Sequence, residues 1–441
     1  MKILFPFILL ILFSFTLFAQ TDEILAAANG KNYTVLDLPP NVADAYGKLP
    51  SIISGLRTEL LARRISDILF ETEAAARKTT VDALIEAEMK RRVAEPTAEQ
   101  IQAVYNANRD SIGSRALAEV RPQIVSFLRR EPEQKALADF AAELTAKYKV
   151  VSGKDVNANL LSSDVLATVG GKLLTAQSFE MTAKKELYET RMQIYEAAED
   201  ALNQQIYSAL ISAEAKSLGI QPEDLIAREV SDKMKNFSGE EREQLESALQ
   251  KRLFQKYNAN ILLKEPAPFV QNISIPAGTP SRGSISAPVT VVMFTDFQCP
   301  ACSGAHPVLQ KVLAEYPGKI RFIVRNFPLT TLHANAFRAA QAAAAANAQG
   351  KFFEYTDVLY THQDALDGAS LKRYAGELGL NQKQFDSDLD GGKYADPVKK
   401  DLAEGASYGI AGTPTIFVNG VAVRQLTATA FRNAINRALE K

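Results

Sequence analysis

The two cysteines of this 441-residue chain, Cys299 and Cys302, lie close together in the stretch FQCPACSGAHP. A disulfide that closes so short a loop hardly restricts the unfolded chain, so it would add little stability. Two neighbouring thiols can instead exchange disulfides with other thiols. A static local disulfide and a structural zinc site are the alternatives. A structural zinc site needs four ligands, and the histidines that could supplement the two cysteines are His306, His333 and His362. We expect exchange chemistry, with no metal and no cofactor.

The flanking sequence places the cysteine pair where a strand meets a helix. VTVVMFTDF, from Val289 to Phe297, is a continuous apolar run of strand length, and CPACSGAHPVLQKVLAEYPG has apolar residues at helical spacing. The free N–H groups and the positive dipole end at a helix N-terminus favour a thiolate over a thiol. Cys299 is therefore expected to present the outer sulfur and Cys302, one turn into the helix, the shielded one.

The remaining C-terminal sequence completes a recognisable order of elements. KIRFIVRNFPL predicts a second strand, residues His333–Gln363 predict two helices, and LKRYAGELGLNQKQFDSDL predicts a helical hairpin. YGIAGTPTIFVNGVAV predicts a β-hairpin around Asn419 and Gly420, and a last helix follows. This order predicts an α/β thioredoxin fold with an inserted helical subdomain from Pro268 to Lys441.

This region resembles the DsbA family of exported thiol:disulfide oxidoreductases in the segments APVTVVMFTDFQCPACSGAHP, RNFPL, QGKFFEYTDVLY and GTPTIFVNG. The resemblance implies that Cys299 is the nucleophile that forms a mixed disulfide and that Cys302 resolves it. It also implies that Thr413 and Pro414 form the loop opposite the cysteines, with a cis peptide bond; an ordinary trans turn is the alternative. A cis proline removes an N–H group and turns the backbone so that Thr413 can hydrogen-bond to an extended substrate strand.

Two features depart from the pattern of that family. The residues between the cysteines are Pro300 and Ala301, which lack the histidine of the best-known oxidising members. Met293 occupies a position where family members often bury a carboxylate that handles the proton of the second cysteine. The direction of exchange, whether oxidation, isomerisation or reduction, therefore stays open.

Residues 21–264 are rich in charged residues, alanine and leucine, and their apolar periodicity predicts helices. This half contains an internal repeat: ILAAANGKNYTVLDL and VLATVGGKLLTAQSF each predict a hairpin with a glycine turn, and Gly30 aligns with Gly171 at an offset of 141 residues. The first copy resembles the N-terminal chaperone module of the SurA family of periplasmic folding factors. The second copy is shorter and lacks a counterpart of residues 96–130. The resemblance implies arms that hold unfolded chains; helices that only space or dimerise the protein are the alternative.

The N-terminus, MKILFPFILLILFSFTLFA, places Lys2 before a long apolar run and is typical of a secretory signal peptide cleaved after Ala19. An uncleaved membrane anchor is the alternative. No second apolar stretch of that length follows, so no membrane span is expected after cleavage. With 50 basic and 51 acidic residues the net charge is −1, and no nucleic-acid partner is expected.

The sequence therefore predicts a multidomain protein, mostly α-helical in its N-terminal half. Its expected segments are a signal peptide (1–19), two SurA-like helical modules (20–150 and 151–266) and a DsbA-like thioredoxin-fold domain (268–441). We expect a periplasmic thiol:disulfide oxidoreductase that acts on unfolded or reduced exported proteins and is recycled by an unidentified redox partner. A holdase or adaptor with a secondary redox site is the alternative.

Overall fold

The computed structural model describes residues 23–440, and the predicted signal peptide with its cleavage site lies outside them. The chain divides into two compact units, with the division between Ala267 and Pro268. The first is mostly helical, and the second combines a five-stranded sheet with helices. Within the described residues no helix is both long enough and apolar enough to cross a lipid bilayer.

Helices dominate the described part of the first unit. They are α1 (Pro40–Gly47), α2 (Leu49–Ala76), α3 (Val81–Arg92), α4 (Ala98–Ala107), α5 (Arg109–Ile112), α6 (Leu117–Lys147), α7 (Ala176–Leu218), α8 (Pro222–Glu229) and α9 (Gly239–Lys256). The short strands are β1 (Ala26–Ala28), β2 (Lys31–Tyr33), β3 (Val151–Ser152), β4 (Val165–Val169), β5 (Lys172–Thr175) and β6 (Asn260–Ile261).

Both predicted hairpins are present in this unit. Asn29 and Gly30 join β1 to β2, and Gly170 and Gly171 join β4 to β5; all four residues have positive φ, which favours glycine and asparagine in tight hairpin turns. Each hairpin gains a third strand. β6 pairs with β1, and β3 pairs with β4, both antiparallel.

The hydrophobic cores of the helical unit combine segments from both repeats. One core packs the second hairpin, represented by Leu166, against helices of the first repeat, represented by Phe140. The other packs the first hairpin, represented by Leu25, against helices of the second repeat, represented by Leu202. The 43-residue helix α7 supplies buried side chains to both cores. The boundary expected after Val150 therefore separates two repeats in the sequence but not two cores.

Equivalent positions of the repeats also make equivalent contacts. Glu73 and Glu214 stand at the offset of the repeat, and both are buried, with 1% and 3% exposure. Each carboxylate accepts hydrogen bonds from a lysine and a tyrosine at the end of a later helix: Lys147 and Tyr148 for Glu73, Lys256 and Tyr257 for Glu214. This shared arrangement supports a duplication of one module.

The second unit is built on one five-stranded sheet. Its strands are β7 (Ser281–Arg282), β8 (Val289–Thr295), β9 (Ile320–Asn326), β10 (Thr415–Val418) and β11 (Val421–Val423), in the order β11-β10-β8-β9-β7. Its helices are α10 (Pro300–Ala314), α11 (Ala336–Asn347), α12 (Phe352–Thr361), α13 (Gly368–Glu377), α14 (Gln382–Asp390), α15 (Ala395–Ser407) and α16 (Ala428–Leu439).

The strand that leads to the cysteines is buried on both faces. Val291 and Met293 of β8 face one core, and Val292 and Phe294 face the other, which explains why the sequence shows a continuous apolar run. β8 and β9 are parallel, whereas the other pairs are antiparallel. Helices α11 to α15 are inserted between β9 and β10. The predicted thioredoxin fold with a helical insertion is confirmed, but α15 is not predicted.

Candidate active site

The turn between β8 and α10 carries the first cysteine. Cys299 is the N-cap residue of α10, and Pro300 is its first helical residue. Proline suits this position because its missing N–H would have no partner in the first helical turn. The N–H groups of Cys302 and Ser303 donate to the carbonyl oxygen of Cys299, which continues the helix from the turn. Both thiols are free.

The two sulfurs differ in their access to solvent. Cys299 is 7% exposed, whereas Cys302 is 0% exposed. The Sγ of Cys299 donates a hydrogen bond to the carbonyl oxygen of Thr413 at 3.4 Å. The peptide bond between Thr413 and Pro414 is cis, as the family resemblance implies. The structure therefore has the expected outer and inner sulfurs, with the proline loop directly opposite the outer one.

The surroundings of Cys302 oppose its ionisation only in part. Burial raises the pKa of the Cys302 thiol to about 12, while the nearby backbone N–H of Asp296 and the hydroxyls of Thr295 and Thr413 act against this rise. The Thr413 hydroxyl is buried and has no hydrogen-bond partner among the described residues. Met293 is fully buried in the core beneath the sheet. Two hydroxyls and a backbone N–H therefore favour the thiolate of the inner cysteine against the effect of burial.

A buried carboxylate fixes the turn ahead of Cys299. Asp296 accepts hydrogen bonds from the backbone N–H of Gln298 at 2.7 Å, from that of Leu329 at 2.8 Å and from Nδ1 of His333 at 2.8 Å. Neither Asp296 nor the partner of His333 is predicted, because the two residues are 37 positions apart and His333 lies in an irregular segment. An aspartate directly after a buried strand was the only available signal.

Two glutamines join the same turn to the inserted helical subdomain. Nε2 of Gln363 donates to the carbonyl oxygens of Phe297 at 3.0 Å and Cys299 at 2.8 Å. Oε1 of Gln298 accepts from the backbone N–H of Asn335 at 2.8 Å. The subdomain therefore holds the turn through these two glutamines, and neither glutamine is predicted as a site residue.

A buried tyrosine packs beside the cysteine pair. The hydroxyl of Tyr360 lies 2.6 Å from Oγ1 of Thr295. Its ring contacts the rings of Phe297 and His306, with centroids 5.3 and 4.6 Å apart. Nε2 of His306 lies 2.8 Å from Oδ1 of Asp357. His306 therefore packs against Tyr360 and makes a polar contact with Asp357.

The residues between the cysteines contribute no side-chain hydrogen bond. Pro300 and Ala301 are both exposed. Within residues 23–440 no group of three or more histidine, cysteine, aspartate or glutamate side chains is arranged to hold a metal ion. His362 packs against the ring of Tyr374, with centroids 5.2 Å apart.

The sequence profile of the thioredoxin family matches residues 277–437, most of the second unit. Together with the sheet order and the position of the cysteine pair, this match shows that the second unit has a thioredoxin fold. The match does not bear on the helical unit, whose resemblance to SurA stays a prediction.

The chain is also similar to parts of larger proteins and to solved structures. It is 42% identical to the Na(+)/H(+) antiporter NhaA 3 of Salinispora tropica over 139 residues, which make up 32% of this chain and 21% of the antiporter. The chain thus spans about a fifth of the length of that curated relative. BdbD from Bacillus subtilis is 24% identical, with a TM-score of 0.36, and the match covers 40% of this chain and all of BdbD. A thioredoxin-like oxidoreductase from Silicibacter pomeroyi is 27% identical, with a TM-score of 0.34, over 38% of this chain and 95% of that protein.

Proposed function

We propose that the second unit is a thiol:disulfide oxidoreductase of the DsbA type that acts on protein substrates. The observation that carries the proposal is the pairing of an outer Cys299 at a helix N-terminus with a fully buried Cys302. Exchange requires this difference, because only the outer sulfur meets the substrate while the inner one completes the reaction. A crosslink with no role in exchange has no need of it.

Exchange in the oxidising direction proceeds in two steps. A substrate thiolate attacks Sγ of Cys299, the bond between the two enzyme sulfurs breaks, and Cys302 leaves as a thiolate that takes up a proton. A second substrate thiolate then attacks the substrate sulfur of the mixed disulfide and releases Cys299 as a thiolate. The substrate loses two electrons and the cysteine pair gains them. Reduction of a substrate disulfide uses the same steps in reverse.

Thr413 and Pro414 are proposed to align the substrate. The carbonyl oxygen of Thr413 faces the Sγ of Cys299, so a polypeptide that pairs with the backbone of this loop would bring its own cysteine to that sulfur. When Cys302→Ser protein is incubated with a peptide that contains one disulfide, we expect a mixed disulfide on Cys299 to accumulate. Cys299→Ser protein is the matched control and should form none. Absence of an adduct on the Cys302→Ser protein would overturn the proposal.

The direction of exchange follows from the redox poise of the pair. Because Ala301 and Met293 stand where a histidine and a carboxylate would assist thiolate chemistry, we expect a potential between the thioredoxin and DsbA values, about −270 to −120 mV. A disulfide isomerase or reductase is the second candidate. These activities share the exchange steps and differ in poise and in the recycling partner, which is unidentified.

The helical unit is proposed to hold unfolded or reduced exported proteins near the exchange site. Support comes from the resemblance of the repeat to SurA and from large apolar side chains that are more than half exposed, at Phe127, Leu161, Met181 and Phe237. Tethering a substrate raises its concentration at Cys299. A holdase or adaptor with a secondary redox site would use the same surfaces.

The full chain with both cysteines replaced by serine separates holding from exchange. This variant should still suppress aggregation of a reduced, unfolded protein, whereas a truncated protein of residues 268–441 should not. If the variant gives no protection, the helices are spacers or dimerisation elements.

Export to the periplasm is proposed from the N-terminal 19 residues. N-terminal sequencing of the protein recovered from its cells should begin at Gln20. Recovery of the intact N-terminus in a membrane fraction would indicate the anchor instead.

A further inference from the structure

The inner cysteine has to ionise inside the protein. Cys302 has no exposed surface, yet it leaves as a thiolate in one direction of exchange and attacks as a thiolate in the other. An unpaired charge in such a place is strongly disfavoured unless hydrogen-bond donors face it. Since the buried Met293 supplies no polar group near the motif, other buried groups have to stabilise the thiolate charge of Cys302.

A pair of buried hydroxyls lies beside this sulfur. Thr295 is 1% exposed, and its hydroxyl counteracts the rise in the pKa of the Cys302 thiol that burial causes. The same oxygen lies 2.6 Å from the hydroxyl of Tyr360. Contacts of the Tyr360 ring with Phe297 and His306 fix the direction in which that hydroxyl points. Ser303 Oγ further donates to the backbone carbonyl of Tyr360 at 3.0 Å, which ties the end of α12 to the cysteine helix.

The number of hydroxyl protons in the pair of Thr295 and Tyr360 determines the direction of its hydrogen bonds. Thr295 has one hydroxyl proton, so it donates either to Cys302 or to Tyr360. A thiolate at Cys302 can only accept, so Thr295 then donates to the sulfur and Tyr360 donates to Thr295. Burial, together with the nearby charge of Cys302, raises the pKa of Tyr360 well above its usual value, so Tyr360 remains a donor throughout. When Cys302 is protonated, the Thr295 hydroxyl is free to turn.

We propose that Thr295 and Tyr360 form a switchable chain of hydroxyls that stabilises the thiolate of Cys302. In this proposal the Thr295 hydroxyl donates to the Cys302 thiolate, and Tyr360 is a positioning residue that acts through Thr295. The inference rests on the proposed exchange function and adds to it the residues that make the inner cysteine reactive. The titratable groups that face this chain are Cys299, Asp296 with its partner His333, and Asp357 with its partner His306.

The step that depends on Cys302 can be timed separately from the step that depends on Cys299. Reduced full-length protein is mixed with oxidised glutathione, quenched with acid and examined by mass spectrometry. In the first step the Cys299 thiolate attacks glutathione disulfide and one glutathione leaves. In the second, the Cys302 thiolate attacks Sγ of Cys299, the bond to glutathione breaks, and the second glutathione leaves as a thiolate.

We expect Tyr360→Phe and Thr295→Val to slow the second step about tenfold or more, because a hydrogen bond to a charged group contributes at least about one tenfold factor. The first step should keep its rate. In both variants the rise of the second-step rate with pH should also occur at higher pH than it does in the wild type. Thr295→Ser, which keeps the hydroxyl, should restore the wild-type rate.

Tyr355→Phe is the matched control. Tyr355 is buried on the same helix α12, but its hydroxyl donates to the carbonyl oxygen of Leu371 at 2.8 Å. If Tyr360→Phe resolves the mixed disulfide at the wild-type rate, or if Tyr355→Phe slows resolution equally, the hydroxyl chain is overturned. If the wild type forms neither a mixed disulfide nor an internal disulfide between Cys299 and Cys302, the proposed function itself fails, which is a distinct outcome.

Discussion

The buried carboxylate of Asp296 accepts a hydrogen bond from Nδ1 of His333 at 2.8 Å, and this contact joins the cysteine turn to the segment that follows β9. The same carboxylate also receives the backbone N–H groups of Gln298 and Leu329. Three donors that converge on one side chain fix the backbone from which Cys299 projects. The geometry of the outer sulfur therefore depends on a residue that takes no part in the exchange itself.

Replacing Asp296 by asparagine should destabilise the second unit. The amide NH₂ group would face at least one of the three donors, and a buried donor without an acceptor costs about 1–3 kcal/mol. Chemical denaturation of Asp296→Asn should show a loss of that size in the free energy of unfolding. Asp396→Asn, at a side chain that is 93% exposed, is the control and should change by less than about 0.5 kcal/mol. Equal small effects at both positions would contradict the role given to Asp296.

The two cysteines should differ strongly in alkylation by iodoacetamide. Cys299 retains some exposure, whereas Cys302 is fully buried and burial raises the pKa of its thiol to about 12. At neutral pH the cysteine left in Cys302→Ser should therefore react quickly, and the cysteine left in Cys299→Ser should react at least about tenfold more slowly. Mass spectrometry of timed samples gives both rates. Faster reaction of Cys302 would reverse the roles of nucleophile and resolving residue.

Acid should destabilise the helical unit through Glu73. Burial alone would raise the pKa of Glu73, but hydrogen bonds from Lys147, Tyr148 and Arg77 lower it from 4.5 to about 2. A carboxylate whose pKa is lower in the folded state than in the unfolded state stabilises the fold at pH values above its unfolded-state pKa. This stabilisation is lost as the pH falls toward the folded-state pKa. We therefore expect the free energy of unfolding, followed by far-UV circular dichroism, to decline between pH 4.5 and about 2.

The substitution Glu73→Gln should lower stability at pH 7 and flatten the decline in that acid window. Glu99→Gln, at an exposed position of the same unit, should leave the pH dependence as it is in the wild type. An unchanged acid slope in Glu73→Gln would show that the ion pairs of Glu73 contribute no pH-dependent stability.

Arg325 should be the ionic residue on which the second unit depends most. It is 0% exposed, and its guanidinium donates to Asp401 at 2.8 Å and to Glu404 at 2.7 Å. Removing one partner of a buried ion pair lowers the free energy of unfolding by about 3–5 kcal/mol, because the other charge remains buried without a partner. Arg325→Ala should show such a loss in denaturation. Arg373→Ala, which removes a surface pair with both side chains 55% exposed, should cost less than about 1 kcal/mol.

Local chemistry accounts for the parts of the second unit that are predictable from sequence. The run that ends at Thr295, the helix that begins at Pro300 and the hairpin at Asn419 and Gly420 each follow from periodicity or turn preference within a few residues. The bonds between Asp296 and His333 and between Thr295 and Tyr360 span 37 and 65 positions. No local pattern pairs such residues, so these parts of the site emerge only from the fold.

The helical unit shows a different limit of sequence reasoning. The alignment of Gly30 with Gly171 identifies the related hairpins, and both hairpins form. It does not indicate which helices each hairpin packs against, since both copies present apolar side chains of the same kind. The structure places Leu25 of the first hairpin in the same core as Leu202 of the second repeat. The apolar periodicity that continues through α7 permits this packing of one repeat against the other, because one long helix reaches both cores.

The reduction potential of the cysteine pair tests most directly the central claim that Cys299 and Cys302 exchange disulfides. The full-length protein is equilibrated with glutathione buffers of known ratio, and alkylation reports the fraction of reduced cysteines. We predict a value between about −270 and −120 mV. A value below about −300 mV, which is typical of structural disulfides, would contradict the claim.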